Sequence, residues 1–359
     1  MKQPKPILWD VCYIRLFLII ALIAHHAFCP YSFEGDAWPA FEGQTPNAAY
    51  LFFRNLFHSV LLEPFVFISG LIVGYKCQRE EEAQSTPGRL QALSFRALIV
   101  KRAQRLLIPS IIFSALFLFT LSNYAKNSIA RNIYLIIEGY GHLWFLPMLF
   151  WCFVLLYLLE RIHISPLIKF LFLLLFFSPL RLCIPGESLH FRNAAYYMVY
   201  FYAGYCVHRY HLQVSRWARP RYIIGTYLLF ALVFLVNYDV HYSAIVFNLP
   251  DRLQSYVFIL SRGIYSILGV IFLYLLAFRY VQNKNTEAEN STVLTLSNYC
   301  FGIYICQQFI LFVLYYHTPL PRLVPSDFVP WLGFAITLLC SLLITHVALK
   351  SRVGRFLLG

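Results

Sequence analysis

The sequence predicts an all-α polytopic membrane protein with about ten transmembrane helices and both termini on the cytoplasmic side. Three observations carry that prediction. The chain is 60% apolar and only 13% charged, against about 25% charge in a soluble domain. Its apolar residues fall into runs near 20 residues, the length a helix needs to cross a bilayer. Most of its 29 Lys and Arg gather between alternate runs, chiefly at 76–105, 209–221 and 350–355. That is the positive-inside pattern, and it assigns those segments to the cytoplasm.

The expected spans follow in order. The first covers 9–29, and a polar, Pro-containing loop over 30–48 follows it. Its start resembles a signal peptide in charge, but the run carries Arg15, is long and lacks a small-x-small cleavage site, so it is read as a retained span. The second covers 50–75 and contains Pro64, which removes a backbone donor and favours a kink. A hydrophilic segment at 76–105 leads into the third, 106–122. The fourth covers 142–160, the fifth 165–183 and the sixth 194–208. After a basic turn come the seventh at 221–238 and the eighth at 255–278. A polar loop over 281–292 precedes the ninth, 296–316, and the tenth is 329–349. No internal repeat and no soluble segment is visible, so residues 1–359 form a single transmembrane domain.

Composition also excludes several functions. The net charge of +13 is accounted for by short loops between spans, so no nucleic acid is expected. The nine cysteines are scattered without a CxxC pair, which fits small buried hydrophobes rather than a disulfide or metal framework. No metal is expected, and no P-loop, GxGxxG or HExxH motif is present.

Ionisable residues inside a span cost free energy and mark candidate sites. Arg15 and His26 are eleven residues apart on the first span. At about 100° per residue they lie within about 20° of each other on one face, about 16 Å apart along the axis. His25 points about a quarter turn away. An imidazole can take a proton from a hydroxyl, and an arginine can meet an anion. Snorkelling of Arg15 to headgroups and a hydrogen-bonded interfacial His26 are the competing reading. Arg102 and Arg105, three apart at the mouth of the third span, suit phosphate oxygens through their guanidinium forks, or serve as topological anchors. Glu63 and Ser69 place a carboxylate and a hydroxyl within the second span. His142 and Trp144 sit at the outer mouth of the fourth, where Trp is also an ordinary interfacial residue.

Taken together, these residues resemble the integral membrane acyltransferase 3 family over nearly the full length. The shared pieces are Asp10 ahead of Arg15-x10-His26, then Pro64-Phe-Val-Phe-Ile-Ser69-Gly70, then Arg102-x-x-Arg105 followed by Leu-Leu-Ile-Pro109. His142-Leu143-Trp144, Tyr202-Ala-Gly204-Tyr205 and Ser297-Asn-Tyr299 with Ile303-Tyr304 complete the series. Two positions depart from the family pattern. Asp10 stands five residues before Arg15 rather than three, and Gln307 occupies a position where members often have His.

The resemblance implies a ten-helix enzyme of the inner or plasma membrane. It would move an acyl group, most often acetyl, from acyl-coenzyme A to a hydroxyl of an envelope polysaccharide or lipid-linked sugar. It implies His26 as general base with Arg15, and Arg102, Arg105 and Arg15 at the donor. Glu63, Ser69, His142, Trp144, Asp10, Tyr304 and Gln307 would line the path. Acyl-coenzyme A would be a substrate, and no cofactor would be permanently bound. The expected partners are that donor, the glycan acceptor and the bilayer. A transporter or flippase for an envelope lipid or sugar is the alternative that explains the same spans without chemistry.

Overall fold

The computed structural model describes residues 8–31, 38, 47–84, 95–122, 127–186, 188–243, 250–283 and 291–359, with the side chains of 80–84, 243 and 251 left aside. Most of the expected 30–48 loop and the middle of the 76–105 segment lie outside these residues. Every regular element among the described residues is helical, so the fold class is as predicted. Among the described residues, eight helices or helix pairs are long and apolar enough to cross a membrane.

The elements are α1 (Trp9–Phe28), α2 (Ala48–His58), α3 (Leu62–Gln84), α4 (Phe95–Arg102), α5 (Ile108–Leu121), α6 (Ile129–Glu138) and α7 (Phe145–Glu160). Then come α8 (Pro166–Phe172), α9 (Ser178–Leu180), α10 (Phe191–Arg209), α11 (Pro220–Tyr238), α12 (Asp251–Asn283), α13 (Ser291–Tyr316), α14 (Leu320–Leu323), α15 (Val329–Ala348) and α16 (Arg352–Leu358).

Four expectations are adjusted. The second span is interrupted at 59–61, and Pro64 sits in the first turn of α3, where its missing N–H has no intrahelical partner to lose. The third span begins at least as early as Phe95: α4 and α5 are joined by a π turn at Ala103–Leu107. Arg102 and Arg105 therefore lie inside a helical run, not at its N-terminus, and no helix-end N–H groups back them. The fifth expected span is the shorter apolar stretch Pro166–Leu180. The sixth corresponds to α10, which is 19 residues long and stays outside the apolar set because Arg, His, Asn and Tyr dilute its hydropathy.

The chain divides into two compact units. The first comprises 1–65, 213–304 and 318–339. Within it α1 packs against α2 and α12, and α11 against α12. An aromatic cluster ties the end of α1 in place: Phe28 meets Tyr50 edge-on at 5.0 Å and Trp331 at 5.1 Å. The Tyr50 hydroxyl donates to the Asp327 carbonyl at 2.6 Å and accepts from the Trp331 indole at 3.2 Å. Tyr31 donates to the Ser326 carbonyl. These bonds fix the backbone that carries His25 and His26.

The second unit comprises 66–212, 305–317 and 340–359. Here α3 and α10 approach backbone to backbone. A Cβ on Gly70 would fall on the Phe201 carbonyl oxygen, and one on Gly204 on the Phe67 carbonyl oxygen. Small residues permit this approach, and in a membrane such packing supplies the association energy that hydrophobicity cannot. The Ser-Gly and Ala-Gly-Tyr motifs are thus two halves of one helix crossing. A buried ion pair, Lys169 to Glu160 at 2.9 Å, joins α7 to α8, and the Tyr205 hydroxyl donates to the same carboxylate at 2.9 Å.

Candidate active site

The face of α1 is decided by burial. Phe17 and Ile20 are each 45% exposed, while Leu18, Ile19, Leu22 and Ile23 are buried. On a helix of about 100° per residue, Phe17 and Ile20 lie about 140–200° from Arg15, and Ile19, Leu22 and His26 lie within about 40° of it. Arg15 and His26 therefore share the protein-facing side of α1, opposite its exposed apolar side. Both are half-buried.

At the Arg15 end, its charge reaches the thiols of Cys12 and Cys300. Asp10 is 8% exposed and accepts from the Val11 amide at 2.8 Å. A carboxylate in the first turn complements the helix dipole, so Asp10 has a local role in starting α1. Tyr304 packs along Phe301 with ring centroids 6.4 Å apart.

The histidine end is crowded. The His25 and His26 rings are 5.2 Å apart, His25 and His58 are 5.1 Å apart, and His26 lies 6.0 Å from Trp38. His25 Nδ1 bonds to the Arg54 carbonyl at 3.1 Å, and its Nε2 lies 3.6 Å from Cys29 Sγ. A carbonyl only accepts, so Nδ1 carries the proton and Nε2 takes the thiol hydrogen. Both nitrogens of buried His25 are thereby committed. Glu63 is buried and accepts from Ser266 Oγ at 3.2 Å.

Beside this cluster α2, α11 and α12 line a partly open cavity of about 240 Å³. Arg54, His58 and Arg262 supply its basic wall, with Asn55 and Asn237 beside them. Phe234, Tyr238, Tyr242, Phe258 and Tyr265 supply the rest. Asn237 donates to the Phe258 carbonyl at 2.9 Å and to Ser261 Oγ at 2.8 Å, so the α11–α12 wall is hydrogen-bonded into shape. His58, Arg262 and Asn237 were not singled out by the sequence. His58 and Arg262 carried the signal, since both are ionisable residues in apolar surroundings.

The second unit holds the remaining candidates. His142 is 7% exposed; its Nε2 donates to the Ile305 carbonyl at 3.1 Å, and its amide donates to Gln308 Oε1 at 2.9 Å. Gly139 and Gly141, with φ of 97° and 61°, make the turn that delivers it. Trp144 lies 5.5 Å from the His190 ring, which stands 3.6 Å from Glu138. Burial pushes the His190 pKa down, and the Glu138 charge works against that shift. Gln307 is fully buried and Ser69 half-buried. The Arg102 guanidinium lies 3.8 Å over the Phe153 ring. Its buried Nε has no hydrogen-bond partner among the described residues. Arg105 is exposed. Among the described residues no cluster of His, Cys, Asp or Glu is arranged to hold a metal ion.

Comparison with known proteins gives one match. The acyltransferase 3 family model, described as an acyltransferase domain, matches residues 9–349. No curated protein and no solved structure matches the chain.

Proposed function

The chain belongs to the acyltransferase 3 family and is a multi-pass membrane acyltransferase, and from that premise we propose that it acylates an envelope glycan. The donor is cytoplasmic acyl-coenzyme A, with acetyl as the acyl group. The acceptor is a hydroxyl of an envelope polysaccharide or lipid-linked sugar. Both termini are cytoplasmic, in the inner or plasma membrane.

One observation carries the assignment of the base. Arg15 and His26 are half-buried on the side of α1 turned away from exposed Phe17 and Ile20. His25, its neighbour, is committed at both nitrogens. His26 takes the proton of the acceptor hydroxyl as its oxygen attacks the thioester carbonyl. The tetrahedral oxyanion collapses, the C–S bond breaks, and the proton on His26 passes to the leaving thiolate. The products are an ester and free coenzyme A. Positioned general-base catalysis of this kind contributes about 10²–10⁴-fold.

Arg102 and Arg105 serve the nucleotide phosphates of the donor. The unpartnered Nε of Arg102 supports this, because a buried guanidinium N–H without an acceptor costs about 1–3 kcal/mol until an anion supplies one. Arg15 stabilises negative charge near the thioester. Glu63, Ser69, His142, Trp144, Tyr304 and Gln307 shape the surroundings, and His142, held at Ile305 and Gln308, does so as a positioning group.

The test is transfer of radiolabelled acetyl from acetyl-coenzyme A by purified protein. His26→Ala and Arg15→Ala proteins that fold and insert lose transfer. Wild-type rates in either variant would remove that residue from the mechanism.

A further inference from the structure

We propose that α6 lies flat in the membrane interface with Ile129, Ile133 and Ile137 among the phospholipid acyl chains, and that this seat holds the turn that delivers His142. The lipid contact goes beyond the acyltransferase reading and does not rest on it.

The two sides of α6 differ in chemistry. At about 100° per residue, Ile129, Ile133 and Ile137 fall within an arc of about 80°. They are 80%, 54% and 46% exposed. Arg131 and Glu138, the two charges of the helix, lie about 140–160° from Ile133. The Tyr134 hydroxyl donates to Glu138 at 2.9 Å. Leu135 and Ile136 are half-buried, and α6 packs against α5, which leaves the isoleucine stripe uncovered. A helix that is apolar along one side and charged along the other is suited to lie in the plane of an interface.

Connectivity decides what meets the stripe. Ser128 accepts from the Arg131 amide at 3.2 Å and starts the helix, and Gly139, at φ of 97°, ends it. Ten residues rise about 15 Å, half of the roughly 30 Å hydrocarbon core, so α6 does not cross the bilayer. It is strung between Leu121, the end of α5, and Phe145, the start of α7, and both of those helices belong to membrane spans. The two spans therefore end at one membrane surface, and α6 is held there. Leu116 and Phe119 in the last two turns of α5 are exposed, so lipid already borders this end of the unit. One Arg and one Glu leave α6 with no net charge. Burial of the stripe supplies the seat, not attraction to anionic headgroups.

The end of α6 runs straight into His142. Glu138 stands 3.6 Å from His190 Nε2. The Tyr140 amide donates to Ser114 Oγ at 2.9 Å, and the His142 amide donates to Gln308 Oε1 at 2.9 Å. Three residues separate Glu138 from His142, so a shift of α6 pulls directly on these bonds.

The experiment uses the full-length chain in phosphatidylcholine nanodiscs. Exposed Cys183 is replaced by Ser, and the fluorophore NBD is attached to Ile133→Cys, Ile137→Cys or Arg131→Cys protein, with protein lacking an introduced cysteine as the blank. Quenching by doxyl-labelled lipids should place the labels at 133 and 137 about 5–10 Å deeper than the label at 131, and aqueous iodide should quench only the last. High salt should leave the depths unchanged, because charge does not hold the helix. Ile133→Asp should raise the label at 137 toward water and speed hydrogen exchange of the His142 amide; Ile133→Leu should do neither.

Equal iodide quenching at 133 and 131 overturns the proposal. So does a label at 133 shielded from both iodide and doxyl lipid, the sign of a second copy or another protein on the stripe, and so do depths that collapse in high salt. Unchanged His142 exchange in folded Ile133→Asp protein whose label has risen overturns the link to the turn. Depths as expected without acetyl transfer would keep the lipid seat and sink the acyltransferase mechanism; transfer with the stripe in water would do the reverse.

Discussion

The imidazole of His25 donates from Nδ1 to the main-chain carbonyl of Arg54 at 3.1 Å. That bond ties α1 to α2 and sets the tautomer of a ring whose other nitrogen faces Cys29. Two adjacent histidines in the sequence therefore have different characters. One is a buried strut, and the other remains on the Arg15 side of the helix.

Replacing His25 and His26 separately should show that difference. His25→Ala leaves the Arg54 carbonyl without its donor and should cost about 1–3 kcal/mol of stability. His26→Ala protein that folds and inserts should lower acetyl transfer by about 10²–10⁴-fold. Unfolding by differential scanning fluorimetry, alongside the transfer assay, reads both effects. Wild-type transfer in folded His26→Ala, or unchanged stability in His25→Ala, would contradict the assignment.

The α3–α10 crossing makes a second prediction. Gly70→Ala and Gly204→Ala each drive a methyl group into a backbone carbonyl that has no rotamer to escape through. The cost should exceed the roughly 1–3 kcal/mol of ordinary overpacking, and the yield of folded protein should collapse. Gly225→Ala and Gly263→Ala meet nothing within 4 Å and should be neutral or gain up to about 1 kcal/mol, since alanine is the better helix former. Yield and Tm of the four variants decide it.

Arg102 and Arg105 should not be equivalent. Arg102 is half-buried over Phe153, and Arg105 is exposed. Arg102→Ala should weaken coenzyme A binding about tenfold or more, the scale of one lost charge-assisted bond. Arg105→Ala should have a smaller effect that fades as salt is raised. Isothermal titration of coenzyme A at low and high salt measures both. Unchanged affinity in Arg102→Ala would leave that residue as a packing and topology element.

His190 carries a pH dependence. Its pKa is lowered in the folded protein, chiefly by burial, with Glu138 opposing. The unfolded chain then binds more protons than the folded one as pH falls below the ordinary histidine value near 6.5. Its contribution to stability is full above that pH and is lost as pH drops toward the folded pKa. Wild-type Tm should fall between pH 7.5 and 5.5, and His190→Gln should show a smaller fall. A larger fall in the variant would mean that the Glu138 pair outweighs burial.

Much of the fold was legible in the sequence because membrane helices are local. The length of an apolar run, the helical period and the distribution of Lys and Arg each depend on neighbouring residues alone. They sufficed for the all-α class, for most span positions and for the shared face of Arg15 and His26. The break at 59–61 and the π turn at Ala103–Leu107 were hidden, because backbone hydrogen-bond register inside an apolar run leaves no compositional mark.

The remainder is set by contacts between distant residues. Nothing local distinguishes His25 from His26 as the strut; the Arg54 carbonyl, 29 positions on, decides it. The same holds for Gly70 against Phe201, and for Arg262 joining Arg54 and His58 around one cavity. By itself the sequence determined a polytopic helical membrane protein with a basic residue and an imidazole on one face of its first helix. Only the tertiary structure decided that this face turns inward and that a basic, aromatic-walled cavity lies beside the histidines. The physical reason is that hydropathy and period act along a helix, whereas burial, hydrogen-bond pairing and cavity shape exist only once helices pack against one another.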